Sequence, residues 1–215
     1  MKLYVYDHCP FCVRARMIFG LKNIAVEEIV LLNDDEATPV GLVGKKVVPI
    51  LQKDDGSAMA ESLDIVRYID EHYGEKLLRE EIRAELTEWM NDVGAYYNRL
   101  LMPRFIRLGL AEYATQSAVD YFVSKKTESI GDFAENLQKS PQYIEKLHND
   151  LARLESLIKA DNGANGALSL EDIVLFPMLR NLTCVKGVIF PPKVQAYITA
   201  MSQLSRVPLY SSRAL

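Results

Sequence analysis

Cysteine is scarce in this chain: Cys9, Cys12 and Cys184 are the only three among 215 residues. Two close thiols and one remote one do not make the even-numbered framework of a small secreted domain. A basic excess is also missing. The 29 acidic residues outnumber the 25 basic ones and leave a net charge of −4. Nucleic-acid binding usually shows the opposite balance, so no nucleic-acid partner is expected. Long apolar runs are absent too. The longest tempting stretch, 173–188, is broken by Pro177, Arg180, Asn181 and Lys186, whereas a spanning helix needs about 20 largely apolar residues. Met1 to Asp7 alternates like a strand and lacks the apolar centre of a secretory leader. The expectation is a cytoplasmic protein without membrane association. In a reducing compartment, a close cysteine pair points to catalysis or metal binding before structure.

What is present suits an ordinary folded chain: 49% hydrophobic and 25% charged residues, ample for a buried core. Leu3 and Val5 alternate with Tyr4 and Tyr6 to give a first strand. Asp7-His8-Cys9-Pro10 breaks it, and 11–21 carries a helical mixture. Residues 26–32 read as a second strand, parallel to the first because a helix crosses between them. A loop with a short helix is expected over 33–46. A strand over 47–52, the turn Asp54-Asp55-Gly56 and an antiparallel strand over 58–60 follow. An amphipathic helix over 61–73 ends at Gly74. Beyond about residue 80 only helical spacing remains, over 82–108, 117–138, 142–159, 169–184 and 193–204. The reading is an α/β domain of order β-α-β-α-β-β-α at 1–73, a linker at 74–80 and an all-helical domain at 81–215. No internal repeat or low-complexity segment is present.

Cys9-Pro10-Phe11-Cys12 lies at a strand-to-helix junction. Its spacing puts both sulfurs at one end of a single helical turn, within disulfide range. Pro10 suits the first helical position, where its missing N–H costs nothing. Cys9 then faces the free N–H groups of the helix start, which favour a thiolate, the attacking species in disulfide exchange. Zinc would need two further ligands. The candidates Cys184, His8, His72 and His148 do not repeat the close spacing, so no metal site is expected. A structural disulfide here would restrict the unfolded chain little, because the loop is short. Cys184, in an apolar stretch, is expected to be a buried inert thiol.

Two further features carry open alternatives. Pro49 in Val47-Val48-Pro49-Ile50 is either an ordinary edge-strand proline or the second residue of a cis peptide. The cis form would turn the N–H and C=O of Val48 toward an extended thiol peptide. At Glu61-Ser62, Ser62 reads as a helix N-cap. The same helix start could receive a carboxylate, with Glu61 accepting from an ammonium group beside it.

In order and spacing, Cys9-Pro10-Phe11-Cys12, Val48-Pro49 and Glu61-Ser62 resemble glutaredoxins and the thioredoxin-like half of glutathione transferases. The helical second half resembles the transferase architecture, so the whole chain resembles the bacterial two-domain glutaredoxins. The family's usual active-site sequence is Cys-Pro-Tyr-Cys, and Phe11 stands here in place of the tyrosine. The Thr often found before Val-Pro is Val47 here. Ser169-Leu170-Glu171-Asp172 resembles the transferase folding motif, a capping box that opens a core helix.

The resemblance implies a thioredoxin-like α/β domain followed by an all-α, transferase-like domain. It implies glutathione as cosubstrate, with no tightly bound cofactor and no metal. Cys9 would be the nucleophile and Cys12 the resolving thiol, supported by Pro10 and Phe11. Val48, Pro49, Glu61 and Ser62 would contact glutathione. Arg16 or the Lys45/Lys46 pair would help hold its glycine carboxylate. Glutathionylated and disulfide-containing proteins would be the partners. A conjugating transferase needs no second thiol, so Cys12 argues against that class. A non-enzymatic binding module and an iron–sulfur-carrying dimer are the remaining alternatives.

Overall fold

A computed structural model describes residues 1–215. Strands β1 (Lys2–Val5), β2 (Glu27–Val30), β3 (Ile50–Gln52) and β4 (Ala58–Met59) form one sheet in the order β2-β1-β3-β4. β1 and β2 are parallel, with Lys2 opposite Glu27 and Val5 opposite Val30. A parallel pair requires a crossover, and α1 (Pro10–Leu21) supplies it. β3 runs antiparallel to β1, with Tyr4 opposite Ile50, and β4 antiparallel to β3. With α2 (Ala37–Val43) and α3 (Ser62–His72), the first half has the expected order β-α-β-α-β-β-α. The third strand is shorter than the pattern suggested and starts only at Ile50, after a proline that has no N–H to give the ladder.

The second half contains α4 (Ala84–Phe105), α5 (Gln116–Ile130), α6 (Phe133–Gln138), α7 (Ser140–Leu157), α8 (Leu170–Leu182) and α9 (Pro192–Ser205). A 3-10 turn at Ala111–Tyr113 precedes α5. The single helix expected over 117–138 is two helices. Gly131, at φ +80°, ends α5, and the Asp132 side chain caps α6 by accepting from the Glu135 N–H at 2.8 Å. The capping box is formed: Ser169 Oγ accepts from the Glu171 N–H and Asp172 accepts from the Ser169 N–H, at 3.2 and 2.9 Å.

The two halves share one hydrophobic core, which runs from Leu3 and Val5 through α1 to Ile173, Leu179 and Tyr197. α1 is the shared element. It packs on α3 within its own half and on α8 and α9 of the other, which is why Cys12, Val13, Ala15, Met17, Ile18 and Phe19 are all buried. Gly20 belongs to this packing. A methyl group there would meet the Ser205 carbonyl oxygen of α9 at 1.8 Å, so only glycine fits. The stretch read as a linker is pinned, not free. Asp70 accepts from the N–H groups of Leu77 and Leu78 at 2.9 and 3.0 Å, and Arg79 bonds through its backbone to Leu168 and Leu170. No helix is long and apolar enough to cross a membrane.

Candidate functional site

The chain turns from β1 into α1 through Asp7-His8-Cys9. Cys9 holds the N-cap position with extended backbone, and Pro10 opens the helix. Cys9 is half-buried; Cys12, one turn on, is fully buried, and both thiols are free. The Tyr6 N–H donates to Cys12 Sγ at 3.4 Å. The two thiols are driven apart in acidity. The pKa of Cys9 is lowered to about 7, first by a hydrogen bond from the Cys12 thiol. Burial works against this lowering, while the His8 charge and the N–H groups of Cys12 and Phe11 add to it. Burial, followed by the Cys9 sulfur, pushes Cys12 well above the ordinary thiol value. One sulfur is thus prepared to attack near neutral pH and the other to keep its proton.

Cys9 opens into a cleft of about 720 Å³ between the two halves. The first half contributes Tyr6, His8, Phe11, Asn33 and Val48. The second contributes an apolar wall of Met90, Tyr97, Met102, Phe105, Phe122 and Met178. Sequence reasoning missed this second wall, since helical spacing marks these residues only as core. Arg14, Lys46, Lys125 and Lys126 also line the cleft, concentrating positive charge in a chain of net charge −4. Phe11 is half-exposed beside the nucleophile, with the Arg14 guanidinium 4.6 Å from its ring centre.

The Val48–Pro49 peptide is cis, and Val48 lines the cleft. Ser62 departs from its expected N-cap role: it is the first residue of α3, and Glu61 occupies the cap position without a side-chain capping bond. Glu61 adopts φ +71°, ψ 111°, a conformation that costs a non-glycine residue about 1–3 kcal/mol and gathers at functional sites. The Glu61 carboxylate accepts from Lys45 Nζ at 3.0 Å. Lys46, the residue after Lys45, lines the cleft, whereas Glu61 and Ser62 are not among the lining residues.

Arg16 needs correction. It pairs with Asp7 at 2.6 Å and with Glu28 at 2.9 Å and borders a separate pocket with Val5 and Arg213. Its charge is committed to the β1–α1 turn, so it is not available to a carboxylate in the cleft. Lys45 is spent on Glu61. Lys46, which donates to the Asn33 carbonyl at 2.8 Å and lies 3.7 Å from the Tyr121 ring centre, and Arg14 are the basic groups of the first half that reach the cleft.

The turn before Cys9 is gripped from the other half of the chain. Arg180, fully buried, donates to the Asp7 carbonyl at 2.5 Å and to its carboxylate at 2.9 Å. Tyr210 donates to the same carboxylate at 2.8 Å, and Asn181 Nδ2 donates to the His8 carbonyl at 2.7 Å. Burial alone would raise Asp7, but Arg180 and Arg16 hold it below the ordinary carboxylate value. His8 is buried and bonded to Glu112, 104 residues away, at 2.7 Å. The sequence signalled His8 only as a distant metal-ligand candidate. No group of three or more His, Cys, Asp or Glu side chains is gathered to hold a metal ion.

Residues 3–77 match the family described as "Glutathione S-transferase, N-terminal domain", and residues 85–214 that described as "Glutaredoxin 2, C terminal domain". Glutaredoxin 2 of Escherichia coli strain K12 is 50% identical over 215 residues, all of both chains. The crystal structure of glutaredoxin 2 from Salmonella typhimurium in complex with glutathione is 50% identical, with a TM-score of 0.97 over 100% of this chain and 98% of that one. A glutathione S-transferase from Rhodospirillum rubrum, 17% identical, gives a TM-score of 0.61 over 94% of this chain and 86% of that one, which shows a common fold. The first half is accordingly thioredoxin-like and the second transferase-like.

Proposed function

The chain belongs to the glutaredoxin 2 family and is a glutathione-dependent thiol–disulfide oxidoreductase; we propose that Cys9 is its nucleophile and Cys12 its resolving thiol. One observation carries these assignments. The pair splits into a half-buried thiol of lowered pKa at a helix start, lining the cleft, and a fully buried thiol of raised pKa.

With a protein–glutathione mixed disulfide, the Cys9 thiolate attacks the glutathione sulfur and the protein sulfur leaves with the bonding pair. A second glutathione thiolate then attacks the Cys9-bound sulfur. Oxidised glutathione departs and the Cys9 thiolate is regenerated. With a protein disulfide, Cys9 forms a mixed disulfide to one protein sulfur. Cys12 attacks the Cys9 sulfur, the Cys9–protein S–S bond breaks with its electron pair left on the protein sulfur, and that sulfur takes up the proton Cys12 gives up, releasing the reduced protein and leaving a Cys9–Cys12 disulfide. Two glutathione molecules, the cosubstrate, supply the two electrons that reduce it.

Glutathione in this reading extends past the cis Val48–Pro49 peptide, with its γ-glutamyl carboxylate toward Ser62 and the start of α3 and its ammonium group near Glu61. The strained backbone of Glu61 supports this direction. Glutathionylated and disulfide-containing proteins are the macromolecular partners. The cytoplasm, where glutathione keeps thiols reduced, is the proposed location. The test is glutathione-dependent reduction of a small mixed disulfide, coupled to glutathione reductase. Activity should be lost in Cys9→Ser; a Cys9→Ser protein that still turns over would remove the assignment.

A further inference from the structure

Glu112 is a carboxylate in an expensive place. It lies in the 3-10 turn of the helical half and is fully buried, and a buried charge is costly without a partner. Its Oε1 accepts twice from His8, from the main-chain N–H at 2.9 Å and from Nδ1 at 2.7 Å. Its Oε2 is buried with no hydrogen-bond partner. Its one ion-pair partner is His8.

The imidazole is enclosed by every element around it. β1 stacks Tyr6 on it; α4 and α5 add Phe105 and Phe122. The Tyr113 hydroxyl lies 3.2 Å from Nδ1 and 3.3 Å from Nε2. Cys9, the next residue in the chain, lines the same cleft, and α8 brings Asn181 to the His8 carbonyl. The titratable groups of this enclosure are Glu112, Tyr6, Tyr113, Cys9 and Cys12, with Tyr210 bonded to Asp7 behind them. Burial raises all three tyrosines far above neutral pH. Asp7 is answered by Arg180 and Arg16. Lys126 reaches the neighbourhood through Phe122, 5.9 Å from that ring's centre. When Cys9 ionises, two anions flank His8: Glu112, bonded to its Nδ1 at 2.7 Å, and the sulfur of the adjoining residue Cys9, which lines the same cleft as the imidazole.

We propose that His8, held by Glu112, is a positioning residue for the disulfide exchange that receives the Cys9 proton and acts as counter-ion to the thiolate. The proposal rests on Cys9 being the nucleophile. The Cys9 S–H bond breaks with its electron pair left on sulfur. The proton goes to Nε2, while the Nδ1–H stays on the Glu112 carboxylate. A neutral His8 would leave two like charges uncompensated in a largely buried enclosure; the imidazolium balances them. The Coulombic contribution of His8 to the lowered Cys9 value is consistent with this.

The test is the rate of Cys9 alkylation by iodoacetamide across pH, read from the mass of the Cys9 peptide in the full chain. Glu112→Gln keeps shape and removes charge; His8→Gln removes the imidazole. Each should raise the midpoint of the rate profile by about one pH unit, which slows alkylation about threefold at pH 6 once the greater nucleophilicity of the more basic thiolate is counted. Glu112→Asp should recover most of the loss. The double variant should shift no further than the more affected single one, because the pair acts as a unit. The two substitutions lie in different halves, so loss of fold in one leaves the other readable. A site that is merely loosened would speed alkylation at all pH values without moving the midpoint. An unmoved midpoint, or shifts that simply add, would overturn the proposal. Failure of wild-type Cys9 to react ahead of Cys12 would instead overturn the nucleophile assignment.

Discussion

Replacing Cys12 by two different residues separates its two duties. As a resolving thiol it needs a sulfur; as the principal support of the Cys9 thiolate it needs only a donor. The Cys12 side chain is fully buried and makes the largest contribution to lowering Cys9. Cys12→Ala deletes the donor, while Cys12→Ser keeps an O–H in nearly the same place. A hydrogen bond to a charged group contributes about 1.5–3 kcal/mol. At about 1.4 kcal/mol per pK unit, Cys12→Ala should raise the Cys9 midpoint by about one to two pH units. The more basic thiolate is intrinsically more nucleophilic, with a Brønsted slope of about 0.4–0.5. The net loss of alkylation rate at pH 6 should therefore be about 3- to 10-fold for Cys12→Ala and much smaller for Cys12→Ser. Iodoacetamide kinetics from pH 5 to 9 would measure both. Equal midpoints in the two variants would refute the claim that the Cys12 hydrogen bond governs Cys9.

The same serine variant should divide the two reaction routes. It should retain most activity on a glutathione mixed disulfide and lose most activity on a protein disulfide, since only the second route needs a resolving thiol; loss of both in a folded variant would end the proposed division of labour. Ser62→Ala should raise the KM for glutathione about tenfold and leave iodoacetamide alkylation of Cys9 unchanged, whereas unchanged steady-state kinetics would reduce Ser62 to a structural residue. Asp7→Asn should lower the thermal unfolding midpoint at pH 7. Because the folded carboxyl is held low, its stabilisation is present above the unfolded value, about 3.9, and is lost as pH falls through the folded one. The gap between wild type and variant should thus narrow below about pH 4, and a gap that is constant with pH would contradict the role given to Arg180.

Local chemistry was the part of this site that the sequence displayed. Cys9 and Cys12 are three residues apart on one helix, so their spacing alone implied a shared end and unequal exposure. The capping box at Ser169 and the β-α-β order are local in the same sense. What stayed hidden depends on distant chain segments. Arg16 looked available because nothing nearby in sequence claims it, but Glu28 arrives on β2 and takes it. His8 looked idle until Glu112 came within 2.7 Å. Gly20, a residue type that weakens a helix in isolation, is needed where it stands because the backbone of Ser205 fills the space beside it. The break at Gly131 was visible as a glycine, yet helical spacing on both sides concealed it.

The bond from Tyr210 to Asp7 spans 203 residues, and it has a consequence for how the protein is made. The cysteines leave the ribosome well before the groups that hold their turn in place. Arg180, Asn181 and Tyr210 must all emerge before Asp7 and His8 take their final positions. Until then the nascent chain carries two thiols on a turn that has not been fixed in place. A ribosome stalled short of Tyr210 therefore holds the motif without its finished surroundings.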